Sequence, residues 1–154
     1  MTHPASEIIT CLHGKTLATA ESCTGGMIGQ MLTAVPGSSA VYKGGIISYC
    51  NEVKHAVLGV EEVLLQTYGA VSQPVAEAMA KGARKAIDAD VAVSVTGLAG
   101  PGGDEYGNPV GTVYIGYADR EKTCVRHFLF TGDRETVRRQ AAEAALRLIL
   151  EQNA

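Results

Sequence analysis

Segments with apolar residues at helical spacing alternate along the chain with short, mostly apolar runs. In several segments the apolar residues fall three and four residues apart, which is typical of one face of a helix. Pro36-Gly37 ends one of these segments, and Ser72-Gln73-Pro74 begins another with Pro near the first helical position. Asp133 is predicted to cap the last. The spacing predicts helices over 5–13, 27–35, 51–58, 60–68, 72–86 and 133–149.

Short runs between these helices indicate strands. Val91–Val95 is nearly all apolar, as expected for a strand buried on both faces. The last two runs are joined only by the polar residues 119–122, so they are predicted to form a hairpin. Strands are predicted over 15–20, 45–49, 91–95, 112–118 and 123–130.

The alternation of strands and helices predicts an α/β fold, a three-layer α/β/α sandwich. Its sheet should be mostly parallel, with one antiparallel strand from the hairpin. Ligands bind such sheets outside the carboxyl ends of the strands. We therefore expect three segments to converge there: 22–26, 49–54 and 96–111.

Composition limits the class of protein. The chain has 154 residues, which predicts one domain over 1–154. With 46% hydrophobic and 19% charged residues it does not have a disordered composition. The 13 basic and 16 acidic residues give a net charge of −3 and no basic footprint, so no nucleic-acid partner is expected. No apolar run nears the roughly 20 residues of a membrane-spanning helix, so no membrane partner is expected.

The cysteines point to a reducing compartment. They stand at positions 11, 23, 50 and 124, without the CxxC spacing of zinc or redox motifs. The first ten residues show no export signal, so a cytoplasmic protein with free thiols is expected. No cluster of His, Cys and Asp has metal-ligand spacing, and no metal is expected. GxGxxG is absent, and Gly14-Lys15-Thr16 lacks the earlier glycine of a P-loop.

The turn Glu21-Ser22-Cys23-Thr24-Gly25-Gly26 is the first candidate for chemistry. A serine between a strand and a helix is a possible nucleophile, and the free amides of the helix start, near Thr24, Gly25 and Gly26, could hold a phosphate or an oxyanion. On spacing alone, a plain Ser/Thr cap with a glycine turn is the commoner arrangement. Cys23 is a rival nucleophile, although such cysteines are more often buried packing.

A serine nucleophile needs a base. Among the histidines only His55 lies on a suitable polar stretch. The segment Tyr49–Lys54 leaves a strand and enters a helix, so Tyr49 and Lys54 could both face the cleft. A desolvated lysine loses its proton more easily and can serve as the base, whereas most lysines are solvated surface residues.

Two further segments could bind an anion. The stretch 97–111 has six glycines in fifteen residues. Loops of this length are usually functional or disordered, and consecutive amides can cradle an anion. Arg138 or Arg139, at the start of the last helix, could reach a phosphate bidentately, although a solvated helix face is the commoner role for such arginines.

The separate motifs together resemble one family. They are Thr19–Gly26, Ser48–Lys54, Gly69–Ser72, Thr96–Gly103 and Pro109–Val113. In this order they are similar to the CinA C-terminal domain family, whose stand-alone, PncC-type members are nicotinamide-nucleotide amidases. The resemblance runs from about Ile8 to Leu150, and one departure is Cys50, where many relatives have Ser.

The resemblance implies a mixed five-stranded sheet and a specific reaction. That reaction is hydrolysis of the carboxamide of nicotinamide mononucleotide to nicotinic acid mononucleotide and ammonia, without a metal or organic cofactor. It implies that Ser22 is the nucleophile and that Tyr49 and Lys54 activate it. Family members are commonly oligomeric, so a homo-oligomer, most simply a dimer, is expected. The expected substrate-binding residues are Thr24, Gly25, Gly26, Asn51, Thr96, Gly97, Ala99, Gly100, Gly102 and Arg139.

Three functions stay open at this point: an amidase of this or another substrate, a non-catalytic pyridine-nucleotide-binding module, and a role in DNA uptake. The amidase alone requires Ser22 and an unprotonated Lys54. The net charge of −3 disfavours direct DNA binding.

Overall fold

The computed structural model describes residues 3–154. Its helices are α1 Pro4–Cys11, α2 Met27–Thr33, α3 Asn51–Ala56, α4 Glu62–Tyr68, α5 Gln73–Ile87 and α6 Arg134–Gln152, with a short 3₁₀ turn at Ser38–Ala40. Its strands are β1 Leu17–Glu21, β2 Tyr42–Ile47, β3 Val91–Gly97, β4 Thr112–Ala118 and β5 Thr123–Leu129.

The five strands form one mixed sheet in the order β2-β1-β3-β4-β5. β1 pairs in parallel with both β2 and β3, while β4 is antiparallel to β3 and to β5. Four strands therefore run in one direction and β4 alone in the other. The predicted α/β/α architecture, the mostly parallel sheet and the β4–β5 hairpin are confirmed.

Helices cover both faces of the sheet. α1, α2 and α6 pack on one face, and α4 and α5 on the other. β3 contributes Val91, Val93 and Val95 to the first core and Ala92 to the second. Because alternate side chains of a strand point to opposite faces, burial on both sides explains the nearly apolar run of β3.

Six of the ten strand boundaries differ from the sequence prediction, by one to three residues, and two of these differences have a clear cause. β2 begins at Tyr42, three residues before the predicted start, because Gly44 and Gly45 weaken the strand signal and the strand lies at the sheet edge with alternating exposure. β1 extends to the buried Glu21, a charged residue that a hydrophobic pattern does not place in a central strand.

The topology brings the candidate segments to one edge. β1, β2 and β3 are parallel, so the residues that follow Glu21, Ile47 and Gly97 all leave the same edge of the sheet. The antiparallel β4 begins there with Thr112. The loop 98–111 therefore starts and ends beside the other two segments.

Candidate active site

Ser22 lies directly beyond the carboxyl end of β1. Its N–H donates to the carbonyl of Val95 in the neighbouring β3 at 3.0 Å, which continues the strand pairing up to the serine. The residue is only 7% exposed. The position of the hydroxyl is therefore set by the central strands rather than by a free loop.

Lys54 reaches Ser22 from α3. It sits in the last turn of this short helix, which begins soon after β2, and is only 1% exposed. Its Nζ lies 2.9 Å from Ser22 Oγ, 2.8 Å from the carbonyl oxygen of Ser48 and 3.4 Å from that of Tyr49. The side-chain amine has no other polar contact among residues 3–154.

Burial lowers the pKa of Lys54 to about 8, because a desolvated ammonium is disfavoured. The neutral amine has two N–H groups and one lone pair. Two nearby carbonyls can accept the N–H groups, and the lone pair is then left to accept the Ser22 O–H. The three contacts thus match a general base beside its nucleophile.

The two rival groups do not have this geometry. Cys23 is buried, and burial raises the pKa of its thiol to about 11, so it stays neutral near pH 7. His55 Nδ1 lies 2.8 Å from the carbonyl oxygen of Val60, and its Nε2 is 3.6 Å from Glu62. Neither contact directs the imidazole toward Ser22.

Glu21 fills the amino end of α2. Its Oε1 accepts from the N–H groups of Gly26 and Ile28 at 3.2 and 2.9 Å, and its Oε2 from Gly29 at 3.0 Å. Thr24 Oγ1 donates to the same carboxylate at 2.7 Å. The helix start is thus occupied by the protein's own anion.

Thr24, Gly25 and Gly26 consequently do not line the pocket beside Ser22, and among them only the N–H of Thr24 has no hydrogen-bond partner among residues 3–154. The N–H of Gly25 donates to the carbonyl of Ser22 at 3.1 Å, and that of Gly26 is held by Glu21. Glu21 was not singled out from the sequence, because it ends β1, six residues before the start of α2, and does not occupy the capping position.

A pocket of about 340 Å³ opens over Ser22 and Lys54. Its volume lies within the size range of small-molecule sites. Asn51, Tyr49 and the glycine-rich loop meet around the pocket. Its lining residues are Ser22, Cys23, Tyr49, Asn51, Lys54, Ala70, Val71, Thr96, Gly97, Leu98, Ala99, Gly100, Gly102 and Arg134.

The glycine-rich loop is tied to the rest of the fold. Asn108 Nδ2 donates to the carbonyl of Val71 at 3.1 Å and to Asp104 at 2.8 Å. Tyr106 Oη donates to the carbonyl of Gln66 at 2.9 Å. These contacts hold the far part of the loop against α4 and the start of α5.

Arg134, not Arg139, is the arginine that lines the pocket. Its Nη1 donates to the carbonyl of Gly100 at 2.6 Å and its Nη2 to Tyr49 Oη at 3.0 Å. Arg139 lies on the exposed side of α6, 3.2 Å from Glu135. Sequence reasoning missed Arg134, although the Asp133 cap places it at the first helical position.

The pocket carries positive charge. Its lining includes Lys54 and Arg134 and no acidic residue, in a chain whose net charge is −3. Arg134 has no acidic partner within 4.0 Å among residues 3–154. The pocket therefore favours an anionic ligand.

The same described residues contain no group of His, Cys, Asp and Glu able to hold a metal ion. None of the helices between residues 3 and 154 is long and apolar enough to cross a membrane.

Fold and site together define an α/β/α protein with a serine–lysine pair in a basic pocket. The family model described as "CinA C-terminal domain" matches residues 4–153. The chain therefore belongs to the CinA C-terminal domain family.

Its relatives are named for the same family. A CinA-like protein of Acidobacterium capsulatum is 46% identical over 138 residues, which is 90% of this chain and 33% of that protein. A CinA-like protein of Geobacter sulfurreducens is 50% identical over 133 residues, 86% of this chain and 32% of that protein. The chain thus spans about a third of the length of these relatives.

Solved structures share the whole fold. A competence-damaged protein (CinA) superfamily protein from Escherichia coli matches with TM-score 0.95 and 36% identity over 97% of this chain and 88% of that one. A competence/damage inducible protein from Agrobacterium tumefaciens matches with TM-score 0.95 and 39% identity over 98% of this chain and 94% of that one.

The buried lysine predicts a specific dependence of stability on pH. Between pH 8 and 10.5 the unfolded chain binds more protons at Lys54 than the folded chain, so the unfolding free energy of wild type rises with pH relative to Lys54→Met. The full rise is roughly 3 kcal/mol. Urea unfolding of both proteins from pH 7 to 10 measures it.

Lys85→Met is the matched control, because Lys85 is exposed on α5 and solvated in both states. The difference in unfolding free energy between Lys85→Met and wild type should stay constant over this pH range. An equally constant difference for Lys54→Met would contradict the desolvation of the amine.

Proposed function

We propose that this protein is a nicotinamide-nucleotide amidase that converts nicotinamide mononucleotide to nicotinic acid mononucleotide and ammonia. The observation that carries the proposal is the 2.9 Å contact between Lys54 Nζ and Ser22 Oγ at the base of a basic pocket. The motif resemblance suggests the substrate class. The charge of the pocket supports it, because this substrate carries a phosphate.

The contacts support a two-step hydrolysis. Neutral Lys54 takes the proton of Ser22 as Oγ attacks the carboxamide carbon, and it returns that proton to the nitrogen as ammonia leaves. Water, deprotonated by Lys54, then attacks the acyl-enzyme. Its proton passes back to Ser22 Oγ, and nicotinic acid mononucleotide is released.

The tetrahedral oxyanion needs N–H donors that are not already used. Within the turn after Ser22, the N–H groups of Gly25 and Gly26 are occupied. Those of Cys23 and Thr24 have no hydrogen-bond partner among residues 3–154. The amide that follows a nucleophilic serine serves as an oxyanion donor in other folds. We assign Cys23 N–H, whose residue lines the pocket, to this role, with the unpaired N–H of the adjacent Thr24 as the second donor.

Arg134 is the residue that we propose binds the substrate phosphate. Its guanidinium spans the mouth from Gly100 to Tyr49 and contacts only uncharged acceptors. A phosphate would offer it charged acceptors, which form stronger hydrogen bonds. Thr96, Gly97, Ala99 and Gly102 line the adjacent wall with small side chains, where backbone can approach a ligand closely.

Loss of the serine hydroxyl should abolish turnover. We expect Ser22→Ala to lower kcat for nicotinamide mononucleotide by about 10³-fold or more, because no acyl-enzyme can form. The assay follows ammonia and nicotinic acid mononucleotide, and thermal unfolding checks the fold. Ser39→Ala, an exposed serine outside the pocket, should keep wild-type turnover.

No turnover by folded wild type would contradict the proposal. Measured binding of the nucleotide without turnover would then identify a binding module, and hydrolysis of a different carboxamide would identify an amidase of another substrate.

Activity should rise with pH. Only neutral Lys54 can accept the serine proton, so kcat/KM should increase about tenfold per pH unit below pH 8 and level off above it. Initial rates from pH 6.5 to 9.5 measure this, in a range where the substrate phosphate is already mostly ionised. A kcat/KM that falls with rising pH across this range would exclude an amine base.

Removal of the pocket arginine should weaken binding of the phosphate. Arg134→Met is expected to raise KM for nicotinamide mononucleotide about 10- to 100-fold, because one charge-assisted hydrogen bond to the phosphate is lost. The rate with nicotinamide riboside, which lacks the phosphate, should change little. Arg147→Met, an exposed arginine further along α6, serves as the control.

An equal loss of kcat/KM for riboside and mononucleotide would contradict a phosphate role for Arg134. It would place the guanidinium on a part of the substrate that both compounds share.

A further inference from the structure

The turn that carries Ser22 is held by a second arginine, Arg138, on the next turn of α6. Its Nε donates to the carbonyl of Cys23 at 2.9 Å and its Nη2 to the carbonyl of Thr24 at 3.1 Å. Nη2 also lies 3.5 Å from the position that a Cβ on Gly25 would occupy. The guanidinium therefore packs against the turn as well as bonding to it.

These two bonds fix the peptide groups that follow the nucleophile. A trans peptide is planar, with its C=O and N–H pointing in opposite directions. The carbonyl of Cys23 shares a peptide group with the N–H of Thr24, so its bond to Arg138 sets the direction of that N–H. The carbonyl of Thr24 likewise sets the N–H of Gly25, which donates to the carbonyl of Ser22 at 3.1 Å.

The turn is thus held from two sides by opposite charges. Glu21 binds amide donors at its far end, and Arg138 binds carbonyl acceptors directly after Ser22. Within the turn 22–26, the N–H groups of Cys23 and Thr24 are the ones that have no hydrogen-bond partner among residues 3–154. They are also the donors available to an oxyanion.

Other roles of Arg138 fit these contacts less well. Arg134, not Arg138, is the arginine that lines the pocket where a phosphate would bind. Arg138 has no acidic partner within 4.0 Å among residues 3–154, so it does not act as half of an ion pair. Among residues 3–154, both hydrogen bonds of its guanidinium go to the two residues after Ser22.

We propose that Arg138 is a positioning residue of the amidase reaction, which orients the peptide groups after Ser22 so that the N–H groups of Cys23 and Thr24 receive the oxyanion. This inference rests on the proposed amidase function. It assigns to Arg138 a role in the transition state without contact with the substrate, so its loss should affect kcat rather than KM.

The test compares Arg138→Met and Arg138→Lys with Arg147→Met in kcat, KM and thermal unfolding. We expect kcat for nicotinamide mononucleotide to fall about 10- to 100-fold in Arg138→Met, with KM within about threefold of wild type. This loss is smaller than the roughly 100- to 1000-fold loss on removal of an oxyanion donor, because the donors themselves remain. Arg138→Lys keeps the charge and much of the packing but lacks the planar fork. It should remain folded and recover only part of kcat.

A second readout does not depend on the substrate. A fluorophosphonate probe phosphonylates an activated serine through a similar anionic centre, and intact mass gives the rate of labelling at Ser22. We expect this rate to fall in Arg138→Met and Arg138→Lys in parallel with kcat, and to stay at the wild-type value in Arg147→Met.

The outcomes separate the inference from the proposed function. Slower labelling in folded Arg138 variants, in a protein that does not hydrolyse nicotinamide mononucleotide, would support the positioning role and overturn the substrate. Wild-type kcat and labelling in folded Arg138→Lys and Arg138→Met would overturn the positioning role. A raised KM with unchanged kcat would overturn it as well. A wild type that neither turns over nor labels would overturn both.

Discussion

The contact between a buried amine and a buried hydroxyl is the constraint on which the site depends. Lys54 is removed from water, and this makes its neutral form accessible near pH 8. The same desolvation is unfavourable to folding unless the N–H groups and the lone pair of the amine each have a hydrogen-bond partner. Ser22 Oγ and the carbonyls of Ser48 and Tyr49 provide those partners.

This requirement explains the arrangement of the neighbouring elements. The carbonyls that hold Lys54 come from the residues just after β2, and Lys54 itself comes from the last turn of the short helix α3. Ser48 N–H in turn donates to the carbonyl of Glu21 at 2.7 Å, which ties this segment to β1. The distance between nucleophile and base is thus set by pairing at the carboxyl edge of the sheet.

Charge is distributed unevenly around the nucleophile. A carboxylate, Glu21, lies behind the turn on the buried amides of α2, and a guanidinium, Arg138, holds its carbonyls. The pocket in front contains only basic charges, Lys54 and Arg134. All of these residues lie inside the region that the family model matches.

The sequence by itself determined the layers, the hairpin and the edge at which the candidate segments meet. The spacing of apolar residues indicates which segments are helices and which are strands. The order of those segments along the chain then indicates which strands run parallel. The same reasoning brought Ser22, Lys54 and the loop that begins at Gly97 to one place, because carboxyl ends of parallel strands share an edge.

Only the tertiary structure decided which polar groups face one another. The rotation of α6 against the sheet puts Arg134 and Arg138, four residues apart on one helical face, toward the pocket mouth and the turn, and leaves Arg139 beside Glu135 in solvent. The rotation of α6 and the partners of its arginines depend on packing between segments that are 34 to 115 residues apart, which no local pattern encodes.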